Sequence, residues 1–274
     1  MINRYTVIGQ PIAHSLSPVV HQLFGELTQR RIHYTRTEAS PETFAQTVID
    51  WQRSGAQGCN VTAPFKELAV EVCERLSPNA RRAGSVNTIH MHRDGKRVGH
   101  NTDGLGLVAD IVVNQRRPLE SKRVLLLGAG GAARGVMAPL LAKQPALLHV
   151  ANRTASKAEQ LASLFEDLGP VSGGGFEQLD GEPVFDVIIN ATTVSMNGGM
   201  PPLPDGIASH HSLAYDMTYG RQDTPFMSWS KSCGATACNG LGMLVEQAAE
   251  SFLIWEGVRP KTRMAFPRLR ELLS

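Results

Sequence analysis

Two hydrophobic periods alternate along this chain. Short apolar runs of four or five residues are closed by glycine or a polar turn, and stretches follow in which apolar residues return every three or four positions. The runs suit buried strands and the longer stretches suit helices that cover them. Tyr5-Thr6-Val7-Ile8 predicts a strand ended by Gly9. Ser17 as cap and Pro18 as first helical residue predict a helix to about Arg30. Next come a strand over His33 to Thr37, a helix from Pro41 to about Ser54 capped by Ser40, and a strand over Gly58 to Thr62. Lys66 to Cys73 predicts a helix, and Ser85 to His92 with Arg97 to Gly99 predict paired strands around Asp94-Gly95.

A second series begins after Asn101-Thr102-Asp103. Gly104 to Val113 predicts a helix that leads out of the first unit, and Arg123-Val124-Leu125-Leu126-Leu127 has the character of a buried parallel strand. A helix to about Ala142, a strand over Leu147 to Ala151 and a helix over Ser156 to Phe165 follow. Further strands are predicted at Asp186 to Asn190 and Leu213 to Asp216, while Gly173-Gly174-Gly175 reads as a surface turn. Gly242 to Glu256 and Pro267 to Leu273 predict closing amphipathic helices. The alternation gives an α/β fold of two domains, one of them a Rossmann-type doubly wound parallel sheet.

Composition narrows the function classes. A chain of 274 residues, 42% apolar and 19% charged, supports ordered domains and excludes a disordered chain. The net charge of +2 gives no reason to expect nucleic acid or a membrane surface as a partner. Cys59, Cys73, Cys233 and Cys238 match no zinc spacing and no disulfide framework, so free thiols in a reducing, cytoplasmic setting are expected. The apolar run before Gly9-Gln10-Pro11 is too short for a signal peptide, and no stretch reaches membrane-span length. His90 and His92, like His210 and His211, lack convincing acid or thiol partners, so no metal is expected.

The clearest chemical motif is strand, glycine turn, helix at Gly128-Ala129-Gly130-Gly131-Ala132-Ala133. Gly128 allows a tight turn, Gly130 lets the backbone approach a pyrophosphate, and the small Ala133 lets helix and strand pack closely. Amides at the helix start then face the phosphates. After the next strand, an acid would bind a free ribose 2′-hydroxyl. This chain has Asn152-Arg153-Thr154 there, with Lys157 just beyond. A guanidinium matches a 2′-phosphate, so NADP is favoured over NAD.

The first unit gathers small polar residues at predicted strand ends: Ser15, Ser17, Asn60, Thr62, Lys66, Asn87 and Asn101 to Asp103. Singly each has an ordinary explanation, such as a helix cap at Ser17 or a solvated lysine at Lys66. Together they carry a family pattern. Its stretches are Gly9-Gln10-Pro11-Ile12-Ala13-His14-Ser15-Leu16-Ser17-Pro18, Asn60-Val61-Thr62-Ala63-Pro64-Phe65-Lys66, Gly84-Ser85-Val86-Asn87-Thr88 and Asn101-Thr102-Asp103-Gly104. With the glycine turn, Asn152-Arg153-Thr154 and Gly240-Leu241-Gly242-Met243-Leu244-Val245-Glu246-Gln247-Ala248, the chain resembles shikimate dehydrogenases over nearly its whole length.

The resemblance implies a reversible, NADPH-dependent reduction of 3-dehydroshikimate to shikimate in aromatic amino-acid biosynthesis, by a monomer or homodimer. It implies a discontinuous substrate-binding domain, residues 1–103 with 241–274, and an NADP-binding Rossmann-like domain, residues 104–240. It assigns Ser15 and Ser17 to the substrate carboxylate, and Thr62, Lys66, Asn87 and Asp103 to the ring hydroxyls. Tyr219 and Gln247 align with further substrate contacts. Gly128, Ala129, Gly130, Gly131, Ala132, Asn152, Arg153, Thr154 and Lys157 align with the dinucleotide site, and Met217 and Gly240 with positions beside the nicotinamide. His100 and Asn239 depart from the family pattern, where acids are frequent.

Carbonyl reduction needs one acid–base group within reach of the reacting oxygen. Lys66 and Asp103 are the candidates, with Lys66 as the proton carrier and Asp103 as its positioner. The division within the pair stays open, because coupled groups titrate as a unit. Two other readings also stay open: a quinate/shikimate dehydrogenase with relaxed cofactor use, and a shikimate-binding sensor without turnover.

Overall fold

The structure is a computed structural model that describes residues 2–194 and 198–273. The chain divides into two compact units, Met1–Gly106 with Leu244–Ser274, and Leu107–Met243.

The first unit runs β1 (Asn3–Gly9), α1 (Ser17–Thr28), β2 (Ile32–Glu38), α2 (Phe44–Arg53), β3 (Gly58–Val61), α3 (Leu68–Glu71), β4 (Arg75–Leu76), α4 (Pro78–Ala83), β5 (Thr88–Met91) and β6 (Arg97–His100). These strands form one mixed sheet in the order β2-β1-β3-β5-β6-β4. β1, β2 and β3 are parallel, and β5 is antiparallel to both β3 and β6. The parallel strands end level with one another, with Gly9 beside Glu38 and Ile8 beside Val61. The loops to Ser15 and Lys66 therefore leave from the same sheet edge. α5 (Asp103–Ala109) follows β6 and continues as a π-helical turn, Asp110–Asn114, into the second unit.

The second unit contains β7 (Arg123–Leu127), α6 (Gly131–Leu141), β8 (Leu147–Asn152), α7 (Ala155–Ser163), β9 (Val171–Gly175), β10 (Val187–Asn190), β11 (Leu213–Asp216), α8 (Pro225–Ser232) and β12 (Thr236–Cys238). Its sheet is wholly parallel, in the order β12-β11-β10-β7-β8-β9. This is the doubly wound order, whose switch point lies at central β7. Val124 and Leu126 pack into one core with Val136 and Met137, while Leu125 and Leu127 pack into another with Ile188 and Phe226. Burial on both faces explains the uninterrupted apolar run at β7.

α9 (Leu241–Glu256) and α10 (Phe266–Leu273) close the chain. Within the first unit, α9 lies against the mixed sheet. Trp255 stacks on Tyr5 at 4.4 Å and donates to the Ile89 carbonyl at 3.1 Å, and the Tyr5 hydroxyl donates to Glu256 at 2.7 Å.

Four sequence expectations are corrected. Gly173-Gly174-Gly175 is not a surface turn but part of edge strand β9. A Cβ on Gly173 would lie 2.3 Å from the Ala158 carbonyl oxygen, so glycine is what lets α7 press onto this strand. Ser17 does not cap α1; Leu16 holds the cap position without a side-chain bond, and the Ser17 hydroxyl accepts from Ser15 instead. α2 begins at Phe44 rather than Pro41, because Ser40 closes a turn by accepting from both Thr43 and Phe44 amides. The helix expected from Lys66 shrinks to the single turn α3, because the Lys66 carbonyl is taken by the Val86 amide at 2.8 Å.

His21 of α1 is fully buried, and neither ring nitrogen has a hydrogen-bond partner of normal geometry among the described residues. It stacks on Tyr34 with centroids 4.3 Å apart and planes 7° from parallel. Burial pushes its pKa down to about 3, with neighbouring Asn60 opposing the shift. The folded chain thus binds fewer protons at this site than the unfolded chain, whose histidine titrates near 6.5. Stability from this site is full above that value and declines as pH falls towards the folded pKa. The expected loss is about 2 kcal/mol between pH 8 and pH 5. Urea unfolding of native protein and His21→Phe checks it: the variant should lose less stability on acidification, and parallel pH profiles would contradict this origin.

Candidate active site

In the first unit the site grows from five local facts. Val61 ends β3, and the chain turns through Thr62, whose amide donates to the Ile8 carbonyl at 2.9 Å, before reaching Lys66. β5 begins beside Asn87, β6 ends beside Asn101, and α5 opens on Asp103. Its position in the first turn of α5 suits a carboxylate, because the helix dipole favours negative charge there. Gln247 projects from the second turn of α9.

These elements converge on the Asp103 carboxylate, which is only 6% exposed. Lys66 Nζ donates to its Oδ2 at 2.7 Å, and Asn87 Nδ2 donates to its Oδ1 at 2.9 Å. Asn87 is oriented from its other end, since its Oδ1 accepts from the Thr102 amide at 2.9 Å and the Thr88 hydroxyl at 3.0 Å. Gln247 Oε1 lies within 3.3 Å of both Asn87 Nδ2 and Thr102 Oγ1. One Lys66 proton is committed to Asp103, and the other two have no protein partner among the described residues. The Lys66 side chain keeps 23% of its surface exposed, so those protons can reach a ligand. The arrangement can give or take a proton at a ligand oxygen and can hydrogen-bond neighbouring hydroxyls.

Ser15 and Ser17 also come together: Ser15 Oγ donates to Ser17 Oγ at 3.2 Å. The chain of polar contacts then continues inward. Ser17 lies beside the Tyr34 phenol, Tyr34 donates to Asn60 Oδ1 at 2.7 Å, and Asn60 donates to the Asn87 carbonyl at 3.0 Å. Burial pushes the Tyr34 phenol well above its usual pKa, so it stays protonated and donating. Tyr34 and Ser251 are members of this network that motif reading missed. Ser251, which shares hydroxyl contacts with Thr88 and Asn60, sits four residues after Gln247. That i, i+4 spacing on one helix face was the available signal.

The second unit holds the expected dinucleotide residues at the C-terminal edge of its sheet. Leu127 lies beside Ala151, so Gly128 and Asn152 leave neighbouring strands side by side, and the Gly128 amide donates to the Ala151 carbonyl at 2.8 Å. Gly128 has φ +104°, which favours glycine. Gly130 has no such backbone reason, and a Cβ on it would meet no protein atom within 4 Å. The protein's own packing therefore does not explain this glycine, whereas a phosphate group drawn against the backbone would. α6 starts at Gly131 with no side-chain cap, which leaves its first amides available to an anion. Arg153 and Lys157 are exposed and have no acid partner among the described residues. The residues present thus fit a phosphate-bearing dinucleotide.

Met217 follows β11, and the Met217 amide donates to the Asn190 carbonyl at 3.0 Å. A Cβ on Gly240 would lie 2.2 Å from the Met217 carbonyl oxygen, so these two residues are packed together. Tyr219 sits two residues beyond Met217, also in the second unit. Both departures from the family pattern gain a physical account. Asn239 Oδ1 accepts from the Leu241 amide at 3.2 Å, a bond that the carboxylate frequent in the family could equally make. Burial and neighbouring His90 lower the pKa of His100, which leaves it uncharged beside the Asp103 segment at neutral pH.

Comparison with known proteins agrees along the chain. Residues 7–89 match the shikimate dehydrogenase substrate binding domain, residues 110–196 match shikimate / quinate 5-dehydrogenase, and residues 240–263 match the shikimate 5'-dehydrogenase C-terminal domain. The chain is 50% identical over 274 residues to the shikimate dehydrogenase (NADP(+)) of Aeromonas hydrophila, covering 100% of this chain and 99% of that one. It is 48% identical over 271 residues to that of Hahella chejuensis, with 98% and 99% covered. Among solved structures, an Ael1 enzyme from Pseudomonas putida superposes with a TM-score of 0.90 at 42% identity, over 97% of this chain and 98% of that one. The shikimate 5-dehydrogenase of Thermus thermophilus, solved with NADP(H) and shikimate, gives 0.87 at 30% identity over 98% and 99%. The chain belongs to the shikimate dehydrogenase family.

Proposed function

We propose that this protein is an NADP-dependent shikimate dehydrogenase that reduces 3-dehydroshikimate to shikimate, and reverses the reaction when shikimate and NADP+ are in excess. The observation that carries this is the Lys66–Asp103 pair at 2.7 Å, set in a net of amide and hydroxyl groups. Such a net suits a ring that bears several hydroxyls, since a ligand lacking one would leave a protein polar group unpaired. Residues 1–103 with 241–274 bind the substrate, and residues 104–240 bind NADP. The enzyme acts in the cytoplasm as a monomer or homodimer; its four cysteines are all unpaired, which suits a reducing compartment.

When bound, the nicotinamide supplies or accepts the hydride. Gly128 to Ala132 hold the pyrophosphate with backbone amides, while Arg153 and Lys157 take the 2′-phosphate, with Asn152 and Thr154 shaping that turn through the Asn152 bond to the Thr154 carbonyl. Met217 and Gly240 support the nicotinamide end. Ser15 and Ser17 hold the substrate carboxylate, and Thr62, Asn87, Tyr219 and Gln247 contact the rest of the ring. As the carbonyl carbon is reduced, its oxygen gains negative charge and needs a proton. Lys66 gives that proton from one of its two uncommitted N–H bonds. Asp103 keeps the ammonium aimed, and Asn87 keeps Asp103 from rotating. In the reverse direction the neutral Lys66 amine takes the proton of the alcohol.

The test follows absorbance of the reduced nicotinamide with shikimate or quinate and either cofactor. Shikimate with NADP+ should be the preferred pair, and Arg153→Ala should raise KM for NADP+ by about tenfold, the size of one lost charge-assisted phosphate contact. Preference for NAD+ or quinate would contradict the cofactor or substrate assignment, and binding without turnover would contradict catalysis. Lys66→Ala should lower kcat by on the order of 10²-fold or more, with KM for shikimate less affected. Near-native turnover in that variant would remove Lys66 from the proton-transfer role.

A further inference from the structure

We infer that Arg36 is a specificity-determining residue that selects an anionic substrate by supplying, from a position fixed on the Ser15 backbone, the positive charge that two serine hydroxyls lack. The inference rests on the proposed binding of a carboxylate at Ser15 and Ser17. Those hydroxyls are neutral and can offer hydrogen bonds but no counter-charge. The nearest cation of the proton-transfer site, Lys66, is already neutralised by Asp103.

Arg36 stands on β2, the edge strand of the mixed sheet, three residues before Ala39 and two before the strand's end at Glu38. β2 ends level with β1, so Arg36 occupies the sheet edge from which the Ser15 loop departs. Its Nε and Nη2 both donate to the Ser15 carbonyl, at 2.9 and 2.6 Å. The guanidinium is thus pinned to the backbone of the very residue whose side chain pairs with Ser17. Two of its five N–H groups are used in this way, and its charge is not cancelled, because no carboxylate pairs with it among the described residues. Glu38, which shares its strand face, forms no ion pair with it. An uncompensated charge held in a fixed place beside two hydroxyl donors is the arrangement that recognises a carboxylate.

Two roles are separable. A mere loop anchor would matter equally for charged and uncharged ligands. A counter-charge would matter for the acid alone and would weaken with salt. The measurement compares KM for shikimate with the inhibition constant of its uncharged methyl ester, at low ionic strength and in about 0.5 M salt, where screening is nearly complete beyond a few ångströms. Arg36→Gln should raise KM for shikimate about fivefold at low salt, as expected for one partly solvated charge. The ester's inhibition constant should move less than about twofold, and the gap from the native enzyme should close in high salt. Arg36→Lys, which keeps the charge without the two-pronged bond, should recover most of the lost affinity for the acid. Equal weakening of acid and ester, an unchanged KM for the acid, or no recovery with lysine would each overturn the inference. A native protein that fails to turn over shikimate with NADP+ overturns the proposed function itself, and is told apart because it needs no variant.

Discussion

A carboxylate taken out of water must be paired, and Asp103 is the group on which this constraint falls hardest. Its two oxygens are met by a lysine from the loop after β3 and an asparagine from the start of β5. Leaving either oxygen unmet would cost more than an ordinary hydrogen bond contributes. The requirement fixes the geometry of the neighbourhood. Asn87 cannot flip, because its oxygen must face the Thr102 amide. Lys66 cannot swing into solvent without stranding a buried charge. Tyr34 on β2 and Asn60 on β3 reach the same asparagine, so these strands share one hydrogen-bonded frame with the start of β5.

The second unit answers a different constraint. A parallel sheet covered on both faces exposes its ligand-binding groups only at the strand ends. The unit puts a glycine with φ +104° at one of these ends, and beside it a glycine that nothing in the protein requires. Where a side chain is missing without a packing reason, the reason lies in what binds. Elsewhere in the same unit glycine serves packing, as at Gly173 under α7 and Gly240 against Met217. The same residue type thus carries opposite messages, and only the surroundings separate them.

Much of this was legible in the sequence. The buried strands declared themselves because burial on both faces removes polar alternation, as at β7 and β10. The strand-glycine-helix turn and the arginine after β8 were equally plain, because each depends on chemistry local to a few residues. What was missed depends on tertiary contact. Edge strand β9 hid behind three glycines, of which Gly173 allows the approach of α7 while Gly174 and Gly175 lie against the side chains of Gln178 and Glu177. Helices α4 and α8 were overlooked although Ser77-Pro78 and Thr224-Pro225 cap them with the same signal that was misread at Ser17-Pro18. The difference is that Leu16 holds the cap position of α1, so Ser17 already lies inside the helix, and its hydroxyl accepts from Ser15. Arg36 gave no signal within the strand expected over His33 to Thr37, because its partner is a backbone carbonyl twenty-one positions away.

The central claim is that Lys66 and Asp103 form one proton-transferring unit rather than two independent contacts. The most direct test is a double-mutant cycle in kcat with Lys66→Met, Asp103→Asn and both together, each checked for native melting. For a unit, the double variant should be no slower than Lys66→Met alone, since removing the carrier leaves nothing for the carboxylate to aim. Losses that multiply in the double variant would show two separate contributions and contradict the claim.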